Sequence, residues 1–251
     1  MMHPIRTIDT GLRPARWNVA MTAALAELHE RGEIPDTLRF HRYPRCVLLG
    51  RSQDAELAAN LVYCRGEGID IARRVTGGGA VFMSPQVLAW DVAADRVSCG
   101  PNFEAITCKI GEGIAAGLSH LGVKAHFRAP NDIEIGDRKV SGSSGYAGRR
   151  SAILQGTVLL TDEFAEMASA LRLPESSLRT TITCLAEACG SVPLLSEIMD
   201  AISNGLTETL GRESVAQSWS ASEAACCEAL LREEIGTDAF VFGAHDTGAA
   251  A

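Results

Sequence analysis

Arg73-Arg74-Val75-Thr76-Gly77-Gly78-Gly79-Ala80-Val81-Phe82 is the stretch that decides what this chain can be. Two guanidinium groups, a hydroxyl and three consecutive glycines lead straight into an apolar, strand-like run. Arginine offers a planar fork of donors suited to carboxylate or phosphate. Glycine carries no β-carbon, so the backbone can take positive φ and a ligand can lie against bare peptide N–H groups. The pattern describes a floor for a small anionic or phosphorylated molecule. Taken alone it describes equally a glycine-rich turn beside a solvated arginine pair, because short glycine motifs recur without ligands.

A chain of 251 residues suits one ordinary domain with room for a small appendage. With 46% hydrophobic residues it can build a substantial core, which excludes wholesale disorder. The net charge of −8 argues against a general nucleic-acid binder but leaves room for a local basic pocket. No apolar run is long enough for a membrane span, and Met1–Arg6 lacks the apolar core of a signal peptide, so the expected location is cytoplasmic. The eight cysteines, at 46, 64, 99, 108, 184, 189, 226 and 227, form no C-x-x-C pair. They read as reduced thiols, with no disulfide between the helical neighbours Cys226 and Cys227.

Working outward, Trp17–Leu28 predicts a first helix, ended by Gly32 and Pro35. Thr37–Phe40 and Cys46–Gly50 predict short strands, followed by a polar turn and a helix over Glu56–Glu67 closed by Gly68, after which Ile69–Ala72 leads into the opening stretch. Ala80–Met83 and Val87–Val92 predict a hairpin around Ser84-Pro85. A long helix is expected over Phe103–Leu121, with Asn102 as N-cap and Gly122 at its end. Strands follow at Val123–Phe127 and Asp132–Ile135, then a tight turn at Gly136-Asp137, the run Arg138–Val140, a small-residue loop over Ser141–Gly145 and a strand over Ser151–Leu160. Helices are expected from Asp162, over Leu194–Leu210 and near Ser222–Glu234, then a short strand at Phe240–Phe242 and disorder from Ala244. Interleaved strands and helices with recurring hairpins favour an α/β (α+β) fold, a mixed sheet packed with helices.

The second chemical cluster is Asn131-Asp132, followed by Arg138-Lys139-Val140-Ser141-Gly142-Ser143. A lysine just after a hairpin turn, leading into small residues, can project into a pocket whose wall allows close approach. Its ammonium would be a compact partner for a carboxylate or phosphate oxygen. Asp132 fits a metal or ribose ligand and equally a turn cap, and Gln155-Gly156-Thr157 can present an amide and a hydroxyl.

These segments together resemble lipoate–protein ligases. Arg73–Phe82 is similar to that family's R-R-x-[ST]-G-G-G-A-V-F signature, Gly50-Arg51-Ser52-Gln53 to its G-R-x-Q turn, and Asn131-Asp132 to its N-D pair. Arg138–Ser143 resembles R-K-[VI]-S-G-S, Gln155–Leu160 resembles H-G-T-L-L-L, and Thr183-Cys184-Leu185 sits where V-T-N-L is frequent. The matches keep the family's order from about Trp17 to Leu185. The resemblance implies a biotin/lipoyl ligase-like, class II synthetase-like catalytic domain over 1–190, with a short helical appendage over 191–251 as a reduced accessory region. It implies ATP-dependent attachment of lipoate or octanoate, through an acyl-AMP, to a lysine of a lipoyl carrier: a lipoyl domain or a glycine-cleavage H-like protein. On that basis Lys139 is catalytic, bridging acyl and phosphate oxygens. Arg74, Thr76, Gly77, Gly78, Gly79, Val81 and Phe82 would line the acyl-adenylate site, with Ser141, Gly142, Ser143, Gln155, Gly156 and Thr157 in the same pocket. Asn131 and Asp132 would face the nucleotide, Asp132 as the Mg ligand.

Three features depart from the family. Met83 and Gln155 stand where ligases often have histidine, and the part after Leu194 is short, which raises a separate accessory protein as an expected partner. The nearest rival is a cysteine-dependent octanoyl- or lipoyl-transferase of the same fold. One such class carries its cysteine where this chain has His126 and Phe127; for the other, Cys184 and Cys189 are the nearby thiols. A further alternative is a ligase subunit unable to adenylate alone. The arginine-rich glycine loop of biotin ligases is absent. Because lipoyl domains are often acidic, docking would need a local basic patch, for which Arg149 and Arg150 are candidates.

Overall fold

The computed structural model describes residues 3–243. In chain order these form β1 (Ile5–Leu12), α1 (Ala15–Arg31), β2 (Thr37–Arg42), β3 (Cys46–Leu49), α2 (Ala55–Ala58), α3 (Leu61–Gly66), β4 (Asp70–Arg73) and β5 (Val81–Met83). There follow β6 (Val87–Asp95), α4 (Arg96–Cys99), α5 (Phe103–Ser119), β7 (Ala125–Arg128), β8 (Asp132–Ile135), β9 (Arg138–Ala147) and β10 (Ser151–Leu159). The chain continues through α6 (Phe164–Leu171), α7 (Glu175–Thr181), α8 (Leu185–Cys189), α9 (Leu195–Leu210), β11 (Ser214–Ala216), α10 (Ala221–Leu230), a π-helical turn (Leu231–Ile235) and α11 (Asp238–Phe242).

The large sheet has the order β11-β1-β2-β6-β10-β9-β8-β7, parallel at β11-β1-β2 and antiparallel from there on. A second sheet, β4-β3-β5, is also mixed. Strict alternation divides the long strands. Leu38, Phe40, Leu88, Trp90, Val92, Leu154 and Val158 join the core that includes α5 and α9. Arg39, His41, Ala89, Asp91, Gln155 and Thr157 take the other face, toward α1 and the small sheet. That second face carries the cavity.

Local chemistry explains most elements. Gly32, at φ 75°, closes α1 in the left-handed conformation, and the Asn102 side chain accepts from Ala105 N to start α5, as expected. The expected helix over Glu56–Glu67 is instead split, because Ala59 is extended and Asn60 caps a new helix by accepting from Tyr63 N. The expected hairpin at Ser84-Pro85 does not form. β5 pairs with β3 in the small sheet, while β6 crosses to the large one. Ser141–Gly145 is strand rather than loop, since neighbours on both sides supply its hydrogen bonds. Phe240–Phe242 is helical, capped by Thr237. β1 and β11 were not expected; their pairing partners lie far away in sequence. All eight cysteines are free thiols. The expectation for Ala244 onward falls outside the described residues.

Residues after 190 build on the same body. α9 packs along α5, β11 extends the sheet beside β1, and α10 lies on α1. Arg6 on β1 forms a buried ion pair with Glu223 of α10. A second buried network joins Ser151, His29, Asp36 and Arg212. His29 Nδ1 meets Ser151 Oγ at 2.6 Å, His29 Nε2 donates to Asp36 Oδ1 at 2.8 Å, and Arg212 donates to Asp36 Oδ2. The series has the order of a hydrolase triad, but Ser151 is only 3% exposed, so no substrate can reach its hydroxyl.

Burial pushes the Asp36 carboxyl up, but hydrogen bonds from His29 and Arg212 outweigh it and hold the group below its ordinary value of 3.8. The unfolded chain therefore takes up this proton first as pH falls. The stabilisation is present above that ordinary value and lost as pH drops through the lower folded one. Equilibrium unfolding against pH is expected to show this acid loss, and Asp36→Asn is expected to remove Asp36's share of it.

Candidate functional site

Between the small sheet and the polar face of the large one lies a cavity of about 270 Å³. Its floor crosses four strands in a line: Gly142 and Ser144 on β9, Gln155 and Thr157 on β10, Ala89 and Asp91 on β6, His41 on β2. Its roof is Leu48, Val81, Met83 and the glycine loop. A second, apolar cavity of about 190 Å³ runs toward α6 and α7, lined by Phe82, Leu159, Met167, Leu178 and Ile182. The two share Ala80, Val81, Lys139, Gly142 and Thr157, and so meet at Lys139.

A β-bulge places this lysine. Across β8 and β9, Asp132 faces Gly142 and Glu134 faces Lys139, so Val140 is the extra residue. The bulge puts Lys139 and Gly142 on one face, together with Asp132 and Glu134. A methyl group on Gly142 would come within 2.5 Å of Lys139 Nζ, so a side chain there would push the lysine off this path. Lys139 Nζ is 2.7 Å from Asp132 Oδ1, whose other oxygen accepts from Arg128 Nη2 at 2.9 Å.

The arginine pair of the glycine stretch is buried, with donors spent on backbone. Arg74 donates to Leu48 O at 3.1 Å, to Gly77 O from two nitrogens, and to Gly79 O at 2.7 Å. Its burial pulls the guanidinium down to about 10. Arg73 donates to the carbonyls of Gly50, Arg51 and Gln53 on one side and Phe240 and Val241 on the other. These two arginines hold the loop's shape. Gly78, at φ 91°, turns its carbonyl against Gly50, where any β-carbon would overlap it.

Other expected residues fall around the same cavities. Gly78 and Gly79 line the first, while Gly77 lines neither and serves as a carbonyl acceptor. Thr76 Oγ1 bonds Ser144 Oγ at 2.8 Å, tying the loop to β9. Asn131 holds Ser143: its carbonyl accepts from Ser143 N, and its amide donates to Ser143 O. Ser141 borders the apolar arm with its hydroxyl buried, and Gly156 leaves room for the Trp90 ring. Arg149 and Arg150 lie on the turn after β9, where their backbone N–H groups donate to Glu30.

Sequence reasoning missed the inner end of the first arm. Arg39, fully buried, donates to Asp91 Oδ2 at 2.9 Å, to Asn18 and to Thr10, and Thr22 also donates to Asp91 Oδ2. Burial pushes the Asp91 carboxyl up, with Arg39 opposing, and holds His41 well below the usual imidazole range. The signal was a charge inside each apolar run, Leu38-Arg39-Phe40 and Trp90-Asp91-Val92.

A family model described as the lipoyl protein ligase A/B catalytic domain matches residues 14–207. The chain belongs to that family. Among similar proteins, the octanoyltransferase LipM of Symbiobacterium thermophilum is 32% identical over 238 residues, covering 82% of this chain and 86% of that protein. A bipartite lipoate protein ligase from Thermoplasma acidophilum, described with its E2 lipoyl domain, superimposes with TM-score 0.85, covering 99% of this chain and 100% of that chain at 22% identity. A lipoate-protein ligase A described as bound with ATP gives 0.85 over 98% and 100%, also at 22%. The expected ligase-like mixed α/β fold is therefore the observed one. The chain is an enzyme of the lipoate- or octanoate-protein ligase and transferase class. Among the described residues no helix is long and apolar enough to cross a membrane.

Arg74→Lys replaces a fork by a point charge that cannot reach three carbonyls at once. It is expected to cost about 2 kcal/mol in denaturant unfolding. A variant as stable as the parent contradicts the loop-holding role.

Proposed function

We propose that this chain attaches lipoate or octanoate to a lysine amine of a lipoyl carrier protein through an acyl-AMP made from ATP. The observation that carries this is the meeting of two arms at Lys139, with no cysteine among the described residues lining either arm. An acyl-adenylate is already activated, so no enzyme nucleophile is required.

The first arm, a slot across four strands, suits a linear acyl chain with its carboxylate at Lys139. The apolar second arm suits the flat face of the nucleotide base. At their junction a carboxylate oxygen attacks the α-phosphorus and pyrophosphate leaves. Lys139 Nζ, freed from Asp132, offsets charge on the acyl and phosphate oxygens as they come together. The carrier's amine then attacks the carbonyl carbon and AMP leaves. The glycine loop and Asn131 shape the wall against which the phosphate lies.

Magnesium that travels with nucleotide phosphates needs only one or two protein carboxylates. Asp132, beside Lys139, fits that requirement, although no group of three or more potential ligands gathers among the described residues. When bound, the ion would neutralise phosphate charge. The bipartite relative supports an accessory protein as a partner here, and its E2 lipoyl domain supports a lipoyl domain as the carrier.

A second reading, acyl transfer through a cysteine thioester, is favoured by the 32% identity to an octanoyltransferase. Cys184 is 1% exposed, its thiol is pushed up by burial, and it opens toward Arg138 and Glu187 rather than into either arm. Burial raises Cys189 as well. Neither is an activated thiolate.

Lipoate-dependent ATP–pyrophosphate exchange by the purified chain tests the ligase reading. Lys139→Ala is expected to lower carrier modification by about a hundredfold or more with an unchanged circular-dichroism melt. Cys184→Ser/Cys189→Ser is expected to retain modification; its loss, with Lys139→Ala active, favours the transferase. No exchange, yet transfer from supplied lipoyl-AMP, favours the partner-dependent form.

A further inference from the structure

We infer that the inner end of the first arm selects an acyl group bearing a hydrogen-bond donor near its far end, a thiol or a hydroxyl, over a bare hydrocarbon chain. This rests on assigning that arm to the acyl group, and it names what the arm prefers.

Three buried atoms at this end have no hydrogen-bond partner: Asp91 Oδ1, Gln155 Oε1 and His41 Nδ1. Asp91 and His41 are 1% and 2% exposed, and all three side chains line the arm. They are neighbours by register. Gln155 on β10 sits opposite Asp91 on β6, and His41 lies two residues beyond Arg39, which faces Asp91 from β2. Arg39 and Thr22 both donate to Asp91 Oδ2, so the carboxyl is held fixed with Oδ1 to spare. The Gln155 amide oxygen only accepts, and an acceptor buried without a donor carries its full desolvation cost. An aliphatic chain end would leave that cost standing; an O–H or S–H removes it.

The reach agrees. Ser144 on β9, Gln155 on β10 and Asp91 on β6 share one row, and Lys139 Nζ sits beside Gly142, two residues along β9 from Ser144. The path from Nζ to Asp91 is thus about 12 Å, of which a carboxylate–ammonium contact takes about 3 Å. An extended eight-carbon acid, at about 1.5 Å per C–C bond along a zigzag, spans about 9 Å. Its last carbons therefore arrive at Asp91 and Gln155. The dithiol form of lipoate carries S–H groups there, and a terminally hydroxylated acid carries O–H. Octanoate and the cyclic disulfide form carry no donor.

Calorimetric titration of the full chain with octanoate, oxidised lipoate, dihydrolipoate and ω-hydroxyoctanoate tests this. The two donor-bearing acids are expected to bind about tenfold or more tightly than octanoate. Gln155→Leu is expected to bring that ratio toward one, and His41→Phe serves as a second variant if the first melts early. Octanoate binding as tightly as the donor-bearing acids, or a ratio unmoved by both variants, overturns the inference: the polar atoms then meet ordered water only. Failure of every acid to bind overturns the acyl assignment itself, and the preference with it.

Discussion

Two buried guanidinium groups hold the glycine loop in place, and the cavity exists because they do. Arg73 gathers the carbonyls of Gly50, Arg51 and Gln53 and joins them to Val241 on α11. Arg74 gathers Leu48, Gly77 and Gly79. Each guanidinium thereby ties carbonyls from separate segments to one planar group. With these bonds made, the loop can arch over the large sheet while Gly78 presses on Gly50. The arginines that read as ligand forks in the sequence are thus the loop's internal frame. Arg74 lines the cavity together with the bare backbone of Gly78 and Gly79.

Lys139 stands where the two arms meet, and its position is a consequence of one extra residue. The bulge at Val140 brings it to the face shared with Asp132 and Gly142. Its ion pair with Asp132 is the resting arrangement of an ammonium at the junction of two arms. A ligand carboxylate and phosphate, arriving together, supply stronger negative charge than one shared aspartate.

Much of the fold was legible because the strands and helices carry local marks. Gly32, Asn102 and the Gly136 turn stand where left-handed φ or a side-chain cap is required. What failed was pairing. Val81–Met83 and Val87–Asp95 are separated by a hairpin-like turn, yet they join different sheets. No local residue announces that partner choice. Ser141–Gly145 looked like a loop because its residues are small; it is a strand because β8 and β10 flank it. The catalytic-looking segments were legible as a set, since Lys139, Gly142, Thr157 and Val81 do meet. Arg39, Asp91 and His41 were not, because a charge on an alternating strand reads as a solvent face until the partner that buries it is known.

The central claim is that the acyl group is activated on a nucleotide at Lys139 and never on a cysteine. Mass spectrometry of the chain after incubation with ATP and octanoate, recorded under native and then denaturing conditions, tests it directly. The account predicts an adduct with the mass of octanoyl-AMP in the native spectrum that disappears on denaturation. An octanoyl group that survives denaturation and is released by hydroxylamine would be a thioester, and would contradict it.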